Sequence, residues 1–135
     1  MIFTLRLAQL NDCPQLDALI PLSVRCLQAR DYTPSQIEGA IGTVFGVDTQ
    51  LIRDGTYFVA ESDGAIVGCG GWSRRKALFG SDHGKSEEDT MLDPSFEPAR
   101  IRAFFVHPDF ARRGIGQALL EASEQAALAA GFNRI

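Results

Sequence analysis

Cysteine, histidine and basic charge are all scarce in this chain, and each shortage narrows what it can do. Its three cysteines, Cys13, Cys26 and Cys69, are odd in number and widely spaced. No Cys-x-x-Cys pair occurs, which argues against a zinc site and against a disulfide framework. Reduced thiols point to a cytoplasmic protein. There are two histidines, His83 and His107, and the expectation is no metal. No apolar run is long enough to span a membrane, and Met1-Ile2-Phe3-Thr4-Leu5-Arg6 lacks a signal-peptide layout. Basic residues number 13 against 17 acidic ones, for a net charge of −4. A general nucleic-acid binder carries the opposite balance. No repeat, linker or low-complexity tract breaks the chain. With 135 residues, 45% of them hydrophobic and 22% charged, it reads as a single domain over 1–135 with a real core.

The pattern of apolar residues predicts the elements. Residues 2–7 alternate weakly and read as a strand. Asn11 or Asp12 caps a helix with Pro14 in its first turn. Leu16, Leu19, Ile20, Val24 and Leu27 follow at helical spacing, and Pro21 predicts a kink or break among them. Thr33-Pro34 followed by Glu38 marks a second helix start, with Ile37, Ala40, Ile41, Val44 and Phe45 as its apolar face. Residues 56–61 and 65–72 are strands joined at Asp63-Gly64, a hairpin signal. Residues 80–97 make a polar loop with Asp82, Glu87, Glu88, Asp89, Asp93 and Glu97 against Lys85, most simply a solvated segment. Residues 100–106 are the next strand. An alanine-rich amphipathic helix runs over 114–130, closed by Gly131. The order is strand, two helices, hairpin, strand, helix: an α/β (α+β) fold with a mixed central sheet flanked by helices.

The informative stretch is Val106-His107-Pro108-Asp109-Phe110-Ala111-Arg112-Arg113-Gly114-Ile115-Gly116-Gln117-Ala118-Leu119-Leu120. It reads as a strand end, a glycine-bearing loop and a helix start. Glycine lets backbone approach a ligand closely. A helix N-terminus presents unpaired N–H groups and partial positive charge, which suits a phosphate-bearing cofactor. A Walker A loop needs Lys-Ser/Thr after the second glycine, and Gln117-Ala118 stand there. A dinucleotide fingerprint needs a small third residue, and Leu119 is too bulky.

The remaining pattern, Arg/Gln-x-x-Gly-x-Gly/Ala, resembles the coenzyme A pyrophosphate loop of the GNAT superfamily, the acetyl-CoA-dependent N-acetyltransferases. Here it reads Ala111-Arg112-Arg113-Gly114-Ile115-Gly116, so Ala111 departs at the first position and Arg112 or Arg113 supplies compensating charge. The resemblance spans most of the chain and is specific over about 101–131. It implies acetyl-CoA as co-substrate, held by main-chain N–H groups from Ala111, Arg112, Arg113, Gly114, Ile115, Gly116 and Gln117. It further implies that Phe104, Phe105 and Val106 offer strand backbone to the pantetheine arm. The family domain continues with a strand, a helix and a final strand, whereas this chain stops at Phe132-Asn133-Arg134-Ile135. The expectation is therefore a domain truncated at its C-terminal end.

What the resemblance implies chemically is direct acetyl transfer to a primary amine of a small molecule, peptide or protein. The amine must be neutral to attack. A backbone N–H on 104–106 is the natural stabiliser of the thioester oxygen. Some members carry a glutamate base on the strand before the loop, but Arg100 and Arg102 stand there. No base is assigned; Glu97 and His107 are candidates, each with a plain alternative as loop carboxylate and strand-end marker. Trp72 is a candidate wall of the acceptor site or else a core residue. The competing function is a non-catalytic acyl-CoA-binding or sensing module. A subunit that completes its sheet with a second chain, as in a homodimer, is a third reading.

Overall fold

Two central strands organise the molecule. The computed structural model describes residues 2–27, 33–41, 46–76 and 91–135. Strand β1 (Thr4–Leu7), β2 (Tyr57–Ser62), β3 (Ala65–Ser73) and β4 (Arg100–Val106) pair in that order. Each of the three pairings is antiparallel. A parallel pairing, which would make the sheet mixed, is not among these four strands. The β2–β3 turn holds Asp63 and Gly64 at φ 51° and 79°, the doubly left-handed turn that suits the twist of a hairpin.

Period-two alternation sorts β2 between two layers. Tyr57 and Val59 join the core made by helices α1 (Cys13–Leu27), α2 (Pro34–Ala40) and α3 (Thr49–Asp54). Phe58 and Ala60 face the opposite layer, where Ile115 and Leu119 of α4 (Ile115–Ala129) pack. Leu16, Leu19, Ile20 and Val24 are buried at the spacing expected of α1, each contributing about 1.5–3 kcal/mol of apolar burial.

Some expectations change. Helix α1 runs through Pro21 without a break. Proline's fixed φ is helical, and what it removes is a hydrogen bond to the carbonyl of Asp17 on the exposed side. Helix α2 starts after Thr33 as expected, with Thr33 and Gln36 in a reciprocal cap, and Glu38 takes the Arg25 guanidinium at 2.8 and 3.0 Å, tying α2 to α1. Helix α2 ends at Ala40; Val44 and Phe45 lie outside the described residues. A further change is α3 itself, for which the apolar pattern predicts nothing. Asp48 caps it by accepting from Gln50 N–H at 3.0 Å, and Gly55 closes it.

The last turn of α4 behaves as the sequence predicts. Gly131 takes φ 98°, and Phe132 N–H then donates to Ala127 O at 3.0 Å. That reversal sends the Phe132 ring edge-on into Trp72, with centroids 5.7 Å apart.

Candidate functional site

The end of β4 passes directly into the glycine loop. His107 caps a short 3-10 turn, Pro108–Phe110, its Nδ1 accepting from Asp109 N–H at 3.1 Å. Phe110 N–H donates to His107 O at 2.9 Å and Ala111 N–H to Pro108 O at 3.4 Å. Beyond that point the bonding stops. Among the described residues, the N–H groups of 112–117 find no partner; the first helical bond is Ala118 N–H to Gly114 O at 3.0 Å. Arg112 and Gly114 both lie in the left-handed region, at φ 61° and 84°, and Gly114 caps α4 without a side-chain bond. Consecutive open amides at a helix N-terminus form an anion-binding concavity.

A cavity of about 460 Å³ opens at this point. Of the residues that the sequence assigned to a cofactor, Val106, Ala111, Arg112, Gly114, Ile115, Gly116 and Gln117 line it. Phe104, Phe105 and Arg113 do not. Phe105 is buried in the α1 core, Phe104 packs half-buried on the α4 side, and the Arg113 guanidinium sits over the Phe110 ring at 5.7 Å. Leu27, from the last turn of α1, and Phe110 join the lining and escaped the sequence reading. Phe110 lies inside the motif and was legible as an aromatic next to the loop; nothing local marks Leu27. Val106 also differs from expectation in its bonding, since its N–H donates to Ser23 Oγ of α1 at 3.2 Å.

The other candidates fall elsewhere. His107 lines a separate cavity of about 250 Å³ with Gln15, Ala18, Leu19, Leu22 and Ile66, and its Nδ1 is committed to the turn. Glu97 Oε1 accepts from Asp93 N–H at 2.9 Å, closing its own turn. Trp72 is 2% exposed and packs with Leu92, Ala99, Ala127 and Phe132, so it is a core residue. The Arg74 guanidinium stacks over its ring at 5.1 Å. Arg102 turns inward to Asp48 Oδ2 at 3.3 Å, both nearly fully buried. Residues 80–90, with His83, Lys85 and most of the acidic loop, lie outside the described residues. Among the described residues no group of His, Cys, Asp and Glu could hold a metal, and no helix is long and apolar enough to cross a membrane.

The family model described as "Acetyltransferase (GNAT) family" matches residues 22–135. A comparison with curated proteins finds no significant match. Among solved structures, the chain is similar to the PaiA N-acetyltransferase from Thermoplasma acidophilum in complex with coenzyme A. The TM-score is 0.65 and identity 14%, over 98% of this chain and 76% of that one. A GCN5-related N-acetyltransferase from Rhodopseudomonas palustris matches at TM-score 0.62 and 23% identity, over 97% and 71%. A GNAT family acetyltransferase from Brucella melitensis in complex with acetyl-CoA matches at TM-score 0.60 and 15% identity, also over 97% and 71%. At these identities the likeness is one of fold.

Proposed function

Since this chain belongs to the acetyltransferase (GNAT) family, we propose that its open amides at 112–117 hold the pyrophosphate of acetyl-CoA and that the acetyl group passes directly to a primary amine. The observation that carries this reading is Gly116. Its φ is ordinary, and apart from its chain neighbours and its own helix backbone, no atom of the described residues lies within 4 Å of where its Cβ would stand. Glycine in a helix is disfavoured by up to about 1 kcal/mol relative to alanine, yet neither packing nor backbone geometry asks for it here. A close-lying ligand does.

In this reading Arg112 and Gln117 add polar contacts at the rim, and Leu27, Val106 and Phe110 cover the apolar arm of the cofactor. The neutral amine attacks the thioester carbonyl, and the charge that develops on oxygen is met by a strand N–H. The C–S bond then breaks and CoA leaves as thiolate, to be protonated. The ammonium proton passes to a base or a water chain. The second reading is a module that binds acyl-CoA without turnover, favoured by Arg100 and Arg102 standing on the strand where some members carry a glutamate base. The acceptor, whether small molecule, peptide or protein, is set by a pocket that this loop does not define.

Calorimetric titration with acetyl-CoA tests the cradle. Binding by the parent chain and its loss in a Gly114→Glu, Gly116→Glu variant is the expected result; equal binding by both overturns the assignment. Release of free CoA in the presence of a panel of amines separates an enzyme from a binding module.

A further inference from the structure

Ala103 sits in the middle of β4 at φ 57°. A non-glycine residue in that left-handed region is disfavoured by about 1–2 kcal/mol. It belongs to a bulge: Cys69 pairs with Phe105 and Gly71 with Arg102, so Ala103 and Phe104 together oppose Gly70 alone. Strain of this kind persists only where the surroundings hold it.

The surroundings do so from three directions. The Tyr57 hydroxyl donates to the Ala103 carbonyl at 2.7 Å. Tyr57 stands on β2, two strands from its acceptor, and is paired with Gly71 of β3. A Cβ on Gly71 would come within 3.0 Å of the Tyr57 ring, so the bare backbone there lets the ring cross beneath β3. On the opposite face, the Phe104 ring fills the space beside Gly70, 2.6 Å from where a Cβ would stand. Next to the bulge, Arg102 is anchored to Asp48. Burial pushes the Tyr57 phenol well above its usual range, so the hydroxyl stays a donor across the working pH range.

The bulge also sets a direction. His107 N–H points inward to Val67 O on β3, while Val106 N–H points outward to Ser23. Strand alternation places Phe104 N–H on the same outer edge as that of Val106. We propose that Tyr57 is a positioning residue for acyl transfer: by holding the Ala103 carbonyl it fixes the bulge that aims Phe104 N–H at the thioester oxygen. This rests on the acetyl-CoA reading above. Tyr57 itself touches no reacting atom.

The test compares acetyl-CoA with S-ethyl-CoA, a thioether of similar shape without the carbonyl oxygen, by calorimetry on the parent and on Tyr57→Phe. One hydrogen bond to that oxygen makes the parent prefer acetyl-CoA by about threefold or more. Tyr57→Phe is expected to bring the ratio near one while leaving S-ethyl-CoA affinity unchanged. A variant that keeps the parent's ratio, a parent ratio of one, or equal weakening of both ligands by the variant overturns the proposal. A parent that binds neither ligand refutes the cradle itself, and this inference with it. Should Tyr57→Phe fail to fold, the same comparison is made on Tyr57→Phe, Ala103→Gly, because glycine accepts the left-handed conformation without strain.

Discussion

On β3, Gly68, Gly70 and Gly71 are closed in by their own chain. A Cβ at Gly68 would meet Ile115 Cγ2 at 2.6 Å, and one at Gly71 would meet the Thr56 carbonyl and the Tyr57 backbone. Before α4 the situation is reversed, for among the described residues nothing beyond the chain neighbours and the local helix backbone comes within 4 Å of a Cβ position at Gly114 or Gly116. Gly114 has a conformational reason, its φ of 84°; Gly116 has neither reason. The first group is explained by packing, so it reports on the fold. In the second, backbone conformation explains Gly114, and Gly116 is the one that the proposed cofactor contact accounts for.

The sharpest way to break this contrast is Gly71→Ala. The obstructing atoms are backbone and cannot swing aside, so a stability loss of about 1–3 kcal/mol or more is expected from overpacking, read as a lower melting temperature. An unchanged melt would mean that β3 has room and the contrast is false. Gly116→Ala should do the opposite. Stability is expected to stay level or to rise by up to about 1 kcal/mol, while acetyl-CoA affinity falls about tenfold, roughly 1.4 kcal/mol. Unchanged affinity would remove the outside reason for this glycine.

A smaller effect extends the contrast to charge. Arg75 grips Asp54 through two bonds, at 2.7 and 2.9 Å, whereas Arg112 and Arg113 have no ion pair among the described residues. The Arg75 bonds hold the Asp54 carboxyl below its usual range, as Arg6 does for Asp12. A depressed folded-state value stabilises above the unfolded value, near 3.8, and that stability is lost as pH falls through the folded value. Asp54→Asn should therefore flatten the loss of stability below about pH 4 and leave acetyl-CoA affinity untouched. An equally steep acid limb would show that the pair contributes nothing.

How much of this was legible depended on how local each feature is. The start of α4 follows from pattern, because a glycine-led helix start is a property of adjacent residues; β4 was legible as a strand, but not that Ile101 would be exposed and Arg102 buried. Helix α3 escaped because its six residues carry only Leu51 and Ile52 as apolar anchors, and so short a helix is held by packing and caps, not by its own propensity. The bulge escaped because no glycine marks it: an alanine is held left-handed by a tyrosine 46 residues away. Trp72 had two readings, and burial in the α4 layer chose between them. The Phe105 side chain enters the α1 core, a placement that alternation beyond the bulge decides.

The amide cradle at 112–117 needs only contiguous residues to exist, since a loop and a helix start create unpaired N–H groups wherever they occur. That much the amino-acid order determined alone. Which wall faces the cradle, with Leu27 arriving from α1, and how the β4 backbone is aimed, through Tyr57, Gly71 and Asp48, depended on sheet register and helix packing. Those are contacts between distant segments, and only the folded chain brings them within bonding distance.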